Sequence, residues 1–233
     1  GHFGLDEDFN LVDYGLLLSG AEVPDLSNVF ETYWDSPSTV SGAAPDESVS
    51  AADLVATRAL VADELAEGTP ILAMVLAEVG AWDSRMGSIG IPLDEGAFSV
   101  VSDTPEVSQN TQPVQVIEAL RRTVDGAERD LVVATPFFVP SEKDVEWYQR
   151  IVDRGVRARI LTNSLASNQG TISNSGLNKQ RLAVVKAGVE LRELRTDAGT
   201  KPQCDTPPQL ARYLGLHAKL YTIDRESCFL AST

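Results

Sequence analysis

The sequence predicts an α/β fold in which helices pack against a layered sheet. From residue 114 onward, short apolar strand patterns alternate with helical patterns that glycines terminate, and this alternation is typical of layered α/β domains. The chain has 233 residues, of which 43% are hydrophobic. That is enough for one large domain or two small ones with a buried core.

Charge divides the chain into two parts. Of its 34 acidic and 19 basic side chains, residues 1–110 hold 20 and 2, and residues 111–233 hold 14 and 17. The balances are −18 and +3, which sum to the net charge of −15. We therefore predict a domain boundary near residue 111 and phosphate chemistry in the second part. The acidic first part argues against broad nucleic-acid binding.

The first part is predicted to be mainly helical. Leu26, Val29 and Tyr33 fall on one face of an amphipathic helix, and Pro70 can open another helix at its first turn. Residues 87–112 are rich in Gly, Pro, Ser and Asp, which favour irregular structure. The predicted elements are a strand at 13–19, helices at 23–34 and 51–67, a helix from 70, and a short strand at 98–101.

The second part is predicted to alternate between helices and strands. Gly155 and Gly188 follow two of the helical patterns and are expected to end them. The predicted helices are 114–123, 142–154 and 176–187, and the predicted strands are 131–139, 156–162, 189–194, 214–223 and 228–232, with a polar loop at 196–208.

The strongest chemical signal is the pair His217 and Lys219 in the strand predicted at 214–223. Side chains alternate between the faces of a strand, so these two residues point the same way, about 7 Å apart. Imidazole can attack phosphorus or deliver a proton near neutral pH. An ammonium group can offset the negative charge on phosphate oxygens in the transition state. The pair therefore predicts metal-free phosphodiester chemistry.

A hairpin is predicted to follow this pair. Asp224 ends the strand, and its carboxylate favours a turn. The chain then returns, and Ser232 is expected to lie beside the His217 end of the first strand. The whole pattern, from His217 and Lys219 through Asp224 to Ala231 and Ser232, resembles the phospholipase D superfamily signature His-x-Lys-x4-Asp-x6-Gly-Ser, with Ala231 at the usual Gly.

Further segments carry the resemblance beyond this signature. Residues 135–140, 154–167 and 187–194 are similar to bacterial cardiolipin synthases of the subgroup related to the C-type enzyme, and so are residues 3–10 and 30–36. This resemblance implies a phospholipase D-like layered sheet with helices on both faces. Residues 111–233 would form most of the second lobe, truncated at the catalytic hairpin, and residues 1–110 the remainder of the first lobe with a connector.

The resemblance also implies a mechanism and its partners. Family members place one catalytic motif in each lobe, so this chain would lack the first motif and supply half of the site. One histidine would form a phosphohistidine with an anionic phospholipid, the other would protonate the departing alcohol, and an alcohol acceptor would take the phosphatidyl group. No cofactor or metal is implied. The intact bacterial protein would contact the cytoplasmic membrane peripherally, while the fragment itself would be soluble.

The site residues expected from the resemblance differ in role. His217 and Lys219 are the catalytic candidates, with nucleophile or acid left open for His217, and the supporting candidates are Asp224, Ser232, Asn163 and Ser164. Asp224 is expected to orient the turn rather than carry protons. Asn163 and Ser164 either face the site or cap a turn.

Other interpretations stay open. Phe137 and Phe138 could line an acyl-chain pocket, although core packing is favoured for a buried strand. The alternative to a phosphatidyltransferase, within the same chemistry, is a nuclease or another phosphodiesterase. The chain could also be a catalytically silent structural lobe, and a symmetric dimer could instead restore a site from two copies of His217.

Overall fold

The computed structural model describes seven stretches of the chain, and it groups the residues into two compact units. The described residues are 9–16, 18–40, 50–67, 96–105, 114–167, 171–196 and 213–231. The first unit, called the sheet unit, comprises 1–18, 101–103 and 113–233, and the second, called the helical unit, comprises 19–100 and 104–112. The division into lobes near residue 111 stays a prediction.

The helical unit contains two described helices, α1 at Val23–Trp34 and α2 at Ala51–Glu67. Both match the sequence prediction in full. Pro24 and Asp25 suit the first turn of α1. The N–H groups of that turn have no acceptor within the helix, so Pro loses nothing there, and their positive partial charge favours Asp. At the start of α2, the Asp53 N–H donates to Ser50 Oγ (3.2 Å) and the Ser50 N–H donates to Asp53 Oδ2 (2.8 Å), a reciprocal capping box.

The sheet unit is built on a five-stranded mixed sheet. Its strands are β2 at Asp130–Ala134, β3 at Arg157–Asn163, β4 at Glu190–Leu194, β6 at Leu220–Ile223 and β7 at Ser227–Leu230. Their order across the sheet is β4-β3-β2-β6-β7. Strands β2, β3 and β4 run parallel, while β6 runs antiparallel to β2 and pairs with β7 in a hairpin. The helices are α3 at Gln115–Asp125, α4 at Glu142–Asp153 and α5 at Thr171–Lys186. The predicted α/β class is confirmed.

One face of this sheet carries the core. Leu131 and Val133 of β2 alternate with half-buried neighbours, and Ala158 and Ile160 lie beside them on β3. All belong to a single buried cluster to which the helices contribute Val124, Tyr148, Ile151, Leu177 and Val184. Each fully buried aliphatic side chain contributes about 1.5–3 kcal/mol. The resemblance also implies helices on the opposite face of the sheet, and the described residues of this unit do not include them.

The crossover helices end where the sequence indicates, and α4 also begins there, whereas α5 begins at Thr171, five residues before the predicted start at 176. Ser141 Oγ accepts the Asp144 N–H (3.3 Å), and Asp144 Oδ2 accepts the Ser141 N–H (2.9 Å), so α4 starts with a capping box. Gly155 and Gly188 follow α4 and α5 with φ of 91° and 86°. Such left-handed backbone favours glycine and stops a helix.

Outside the segment 214–223, three strand predictions are wrong. The strand expected at 131–139 ends at Ala134, because Pro136 has no N–H to continue a ladder. No strand is formed at 98–101. The strand expected at 13–19 lies earlier, at Phe9–Val12. The helix predicted from Pro70 and nearly all of the loop predicted at 196–208 lie outside the described residues.

A second, smaller sheet stands beside the main one. Strand β1 at Phe9–Val12 pairs in parallel with β5 at Tyr213–Leu216, and Val12 lies opposite Leu216. The strand predicted at 214–223 is therefore divided between two sheets, because β5 belongs to this pair and β6 to the main sheet. Residues 217–219 join them without strand structure.

Asp224 fastens the turn of the β6–β7 hairpin to the main sheet. Its carboxylate accepts the main-chain N–H groups of Glu128 (2.9 Å), Arg129 (2.7 Å) and Asp130 (2.8 Å). Its backbone is left-handed, with φ of 56°, which Asp tolerates better than most residues. The hydrogen bonds from Asp130 and Glu128 outweigh desolvation and lower the pKa of Asp224. The carboxylate therefore stabilises the folded chain once it is ionised.

We predict that Asp224→Asn lowers the melting temperature of the chain by a few degrees at pH 7, because Asn keeps the turn conformation but loses one acceptor oxygen. A folded-state pKa below the usual 3.8 means that this stabilisation is complete above pH 3.8 and is lost as the pH falls below it. Circular dichroism melts at several pH values would measure the difference. Glu146→Gln, at an exposed position of α4, is the matched control, and equal melts for the two variants would contradict the anchoring role.

Candidate active site

His217 lies where the chain passes from the small sheet to the main sheet. The carbonyl oxygen of Val12 accepts the main-chain N–H of His217 (2.8 Å) and also that of Ala218 (3.2 Å). Two consecutive N–H groups that point to one acceptor are incompatible with an extended strand, in which they alternate. The continuous strand predicted here is therefore wrong, and the bend it misses positions the histidine.

The bend brings three side chains into contact. His217 Nδ1 lies 2.8 Å from Asp13 Oδ2, and Lys219 Nζ lies 3.2 Å from His217 Nε2. Lys219 Nζ also donates to the carbonyl oxygen of His217 (3.2 Å). The sequence predicts that His217 and Lys219 share a face, and the two side chains do meet, with their terminal atoms closer than a flat strand would place them.

These contacts select one form of the imidazole. An ionised carboxylate only accepts hydrogen bonds, so Nδ1 of His217 carries the proton toward Asp13. An ammonium group can only donate, so the Nε2 that lies 3.2 Å from Lys219 Nζ must hold a lone pair. The ring is thus oriented with a basic nitrogen directed at the ammonium group. This is the form that can attack phosphorus or accept a proton.

Asp13 is suited to this task because it stays ionised. Desolvation favours its neutral form, but hydrogen bonds from His217 and from the Tyr14 N–H, with the nearby charge of Lys219, outweigh this effect and lower the pKa of Asp13. The side chains of Asp13 and His217 are about one-third exposed, at 34% and 33%. A ligand from solvent can therefore reach the pair.

Asn163 lies against the same segment but not toward its reactive atoms. It ends β3, is 4% exposed, and bonds to the main chain of Leu216. Ser164 instead pairs with Ser167: its N–H donates to Ser167 Oγ (2.8 Å) and the two hydroxyls lie 3.1 Å apart. Of the two interpretations considered for Ser164, the geometry matches the turn cap.

Of the two remaining predicted residues, Asp224 and Ser232, the structure describes Asp224 alone. Asp224 follows β6 at one end and Lys219 precedes it at the other, so the two residues are roughly 16 Å apart along five residues of strand. It contacts main-chain groups of residues 128–130. Ser232 lies outside the described residues, whereas the N–H of Ala231 donates to the carbonyl oxygen of Lys219 (3.0 Å). The return strand thus reaches the candidate site.

The two phenylalanines considered for an acyl pocket separate. Phe138 is 8% exposed and packs edge-to-face on Tyr148 with ring centroids 5.8 Å apart, so it belongs to the core. Phe137 is 51% exposed.

Sequence reasoning missed Asp13. Asp13 opens an apolar run that is typical of a strand, and it lies 204 residues before His217, so no local spacing connects the two. The feature that finds it is topological: β1 pairs with β5, and the residues that follow these two paired strands meet at one edge.

The described residues contain no cluster of three or more His, Cys, Asp or Glu side chains arranged to hold a metal ion. Within the same stretches, every helix is too short or too polar to cross a bilayer.

Curated proteins similar to this chain include a named enzyme. Over 104 residues the chain is 34% identical to cardiolipin synthase C of Escherichia coli (strain K12), an overlap of 43% of this chain and 21% of that protein. Over 200 residues it is 22% identical to an uncharacterized protein of Helicobacter pylori (strain ATCC 700392 / 26695), covering 84% of this chain and 39% of that protein. The chain thus spans less than half the length of these relatives.

Two solved structures overlap with the chain only loosely. They are a phospholipase D family member, Nuc, from Salmonella typhimurium (16% identity, 49% of this chain, 60% of that chain, TM-score 0.33) and a phosphatidylserine synthase from Haemophilus influenzae Rd KW20 (13% identity, 48% of this chain, 26% of that chain, TM-score 0.35). With TM-scores below 0.5, neither overlap carries weight in the assignment.

The family assignment rests on residues 120–233, which match the model of the family described as cardiolipin synthase, PLD-like domain. That stretch includes the complete five-stranded sheet, two of the three helices described in the sheet unit, and the segment that holds His217 and Lys219. Residues 120–233 therefore form a phospholipase D-like domain, and over this part the chain is similar to cardiolipin synthases.

Proposed function

We propose that the protein is a phospholipase D-type phosphatidyltransferase of phospholipid biosynthesis, similar to cardiolipin synthase, and that this chain supplies one half of its active site. The observation that carries the proposal is the chain of contacts from Asp13 through His217 to Lys219, at 2.8 Å and 3.2 Å. The similarity to a cardiolipin synthase supports the substrate class.

The contacts suit both steps of a substitution at phosphorus. In the first step, an imidazole Nε2 forms a bond to phosphorus while the bond to the departing alcohol breaks, and a second histidine gives that alcohol its proton. In the second step, the second histidine takes the proton of an acceptor hydroxyl, and the acceptor oxygen bonds to phosphorus as the phosphorus–nitrogen bond breaks. Asp13 stabilises the imidazolium, and Lys219 offsets charge on the phosphate oxygens.

His217 can fill either role in this scheme. As the nucleophile, it uses the Nε2 lone pair that faces Lys219. As the acid, it carries a proton on Nε2 for the departing oxygen, and Asp13 holds the ring in the same orientation through Nδ1. The second catalytic histidine is supplied by the other lobe.

We propose an anionic phospholipid as the donor and a lipid or glycerol hydroxyl as the acceptor, at the surface of the bacterial cytoplasmic membrane. The bound phosphodiester is the group that Lys219 would neutralise. The net charge of −18 on residues 1–110 makes a nucleic-acid substrate less favourable. Lys219 thus supplies a local positive charge in a chain whose net charge of −15 disfavours nucleic-acid binding.

The test compares the full-length gene product with this chain on phosphatidylglycerol vesicles containing glycerol, on bis-p-nitrophenyl phosphate and on single-stranded DNA. Phosphatidyl transfer by the full-length protein and none by this chain is the expected result. Cleavage of DNA without lipid turnover would indicate a nuclease instead. No turnover by the folded full-length protein would indicate a silent structural lobe. Activity of this chain alone would contradict the half-site and indicate a dimer that completes the site with two copies of His217.

We predict that His217→Ala in the full-length protein lowers kcat for phosphatidyl transfer by at least about a hundredfold, because nucleophilic or general-acid catalysis is lost. Release of glycerol or head group from labelled phosphatidylglycerol measures the rate. The matched control is His2→Ala, which changes the other histidine of this chain and should retain activity. An active His217→Ala enzyme would remove His217 from the mechanism.

We predict that Asp13→Asn lowers kcat by about a hundredfold or more with a small change in KM, because an amide can donate to Nδ1 and impose the wrong tautomer. The same transfer assay measures both constants. Asp63→Asn, on the exposed face of α2, makes the identical chemical change elsewhere. Equal kcat for the two variants would show that Asp13 does not orient the catalytic imidazole.

A further inference from the structure

Asn163 makes an arrangement that a turn-capping residue does not need. Both polar atoms of its amide bond to a single residue: Nδ2 donates to the carbonyl oxygen of Leu216 (2.9 Å), and Oδ1 accepts the N–H of Leu216 (2.7 Å). The side chain is buried, with the residue 4% exposed. A buried primary amide that is satisfied on both sides is fixed in orientation.

Leu216 is the residue just before His217, and its two polar groups point away from the small sheet. In a strand, the N–H and C=O of one residue point to one side and those of the next residue to the other. The N–H of His217 donates to Val12 (2.8 Å) on the β1 side. Leu216 therefore presents its own pair to the opposite side, where the Asn163 amide takes the place that a neighbouring strand would occupy.

Asn163 is itself held firmly. It is the last residue of β3 and is paired in register with Leu194 of β4. The loop that follows is fastened by Ser167, whose hydroxyl donates to the carbonyl oxygen of Leu194 (3.3 Å) and whose side chain is fully buried. The Asn163 amide therefore fixes the main chain at Leu216 relative to the main sheet.

We propose that Asn163 is a positioning residue of the active site, which acts through the Leu216 main chain to aim His217 Nδ1 at Asp13. This inference rests on the proposed function and gives it a component that does not touch the substrate. Val12 holds the His217 segment from one side and Asn163 holds it from the other. Release of the Asn163 side lets the imidazole leave the carboxylate, and Nε2 is then no longer directed at Lys219.

Asn163→Asp tests this with little change in shape. The carboxylate can still accept the Leu216 N–H, but it places a lone pair where Nδ2 donates to the Leu216 carbonyl, so one attraction becomes a repulsion. Asn28→Asp, at an exposed position of α1, is the matched control. The chain has two histidines, so their imidazole nitrogen signals can be separated by His217→Ala.

The measurement is long-range proton–nitrogen NMR of the imidazoles in this chain, with nitrogen-15 histidine, at pH 7 to 9. Wild type and Asn28→Asp should show His217 as the Nδ1–H tautomer. Asn163→Asp should shift it toward the Nε2–H tautomer or a mixture of the two. A His217 tautomer unchanged by Asn163→Asp would overturn the proposal. If that variant does not fold by circular dichroism, Asn163→Ser, which removes the paired amide without adding charge, replaces it under the same criterion.

Kinetics in the full-length protein separates this inference from the proposed function. Asn163→Asp should lower kcat about ten- to a hundredfold and leave KM nearly unchanged, because misplacement of a reacting group by about 1 Å has this effect. If the wild type transfers no phosphatidyl group but the tautomer still responds to Asn163, the function fails and the positioning role stands. If the wild type is active and neither tautomer nor kcat responds, the positioning role fails alone.

Discussion

The carbonyl oxygen of Val12 is the acceptor on which the candidate site depends. By taking the N–H groups of both His217 and Ala218, it turns the chain out of the small sheet and toward the main one. The turn places the His217 ring between the carboxylate of Asp13 and the ammonium of Lys219. A straight strand through the same residues would keep the motif and lose these contacts, because consecutive N–H groups would diverge.

The surrounding fold makes that turn rigid. Each of the two sheets fixes one flank, since β5 is paired along β1 and β6 lies between β2 and β7. At the far end of the hairpin, three main-chain N–H groups hold Asp224. The helices bury one face of the main sheet in a continuous cluster. The reactive groups are thus attached to the ends of packed strands, which favours the fixed geometry that catalysis by orientation requires.

The parts of the fold that were predictable are those set by local chemistry. Helix α1 follows from its apolar spacing, and α4 and α5 end just before a glycine that adopts a left-handed backbone. The His217–Lys219 pair was also predictable, because the two residues are neighbours in sequence. The strand expected at 13–19 was wrong because apolar runs of that length do not fix a boundary, and the partner that fixes β1 is some 200 residues away in β5. Asp13 and the contact of Asn163 with Leu216 were beyond sequence reasoning for the same reason, since both depend on pairing between distant segments.

The most direct test of the central claim is a crystal structure of the full-length protein with orthovanadate, which mimics a phosphoryl group under attack. We expect vanadate within contact of His217 Nε2, with Lys219 Nζ on one of its oxygens and Asp13 still bonded to Nδ1. Vanadate bound elsewhere, or bound with His217 turned away from both Asp13 and the anion, would contradict it.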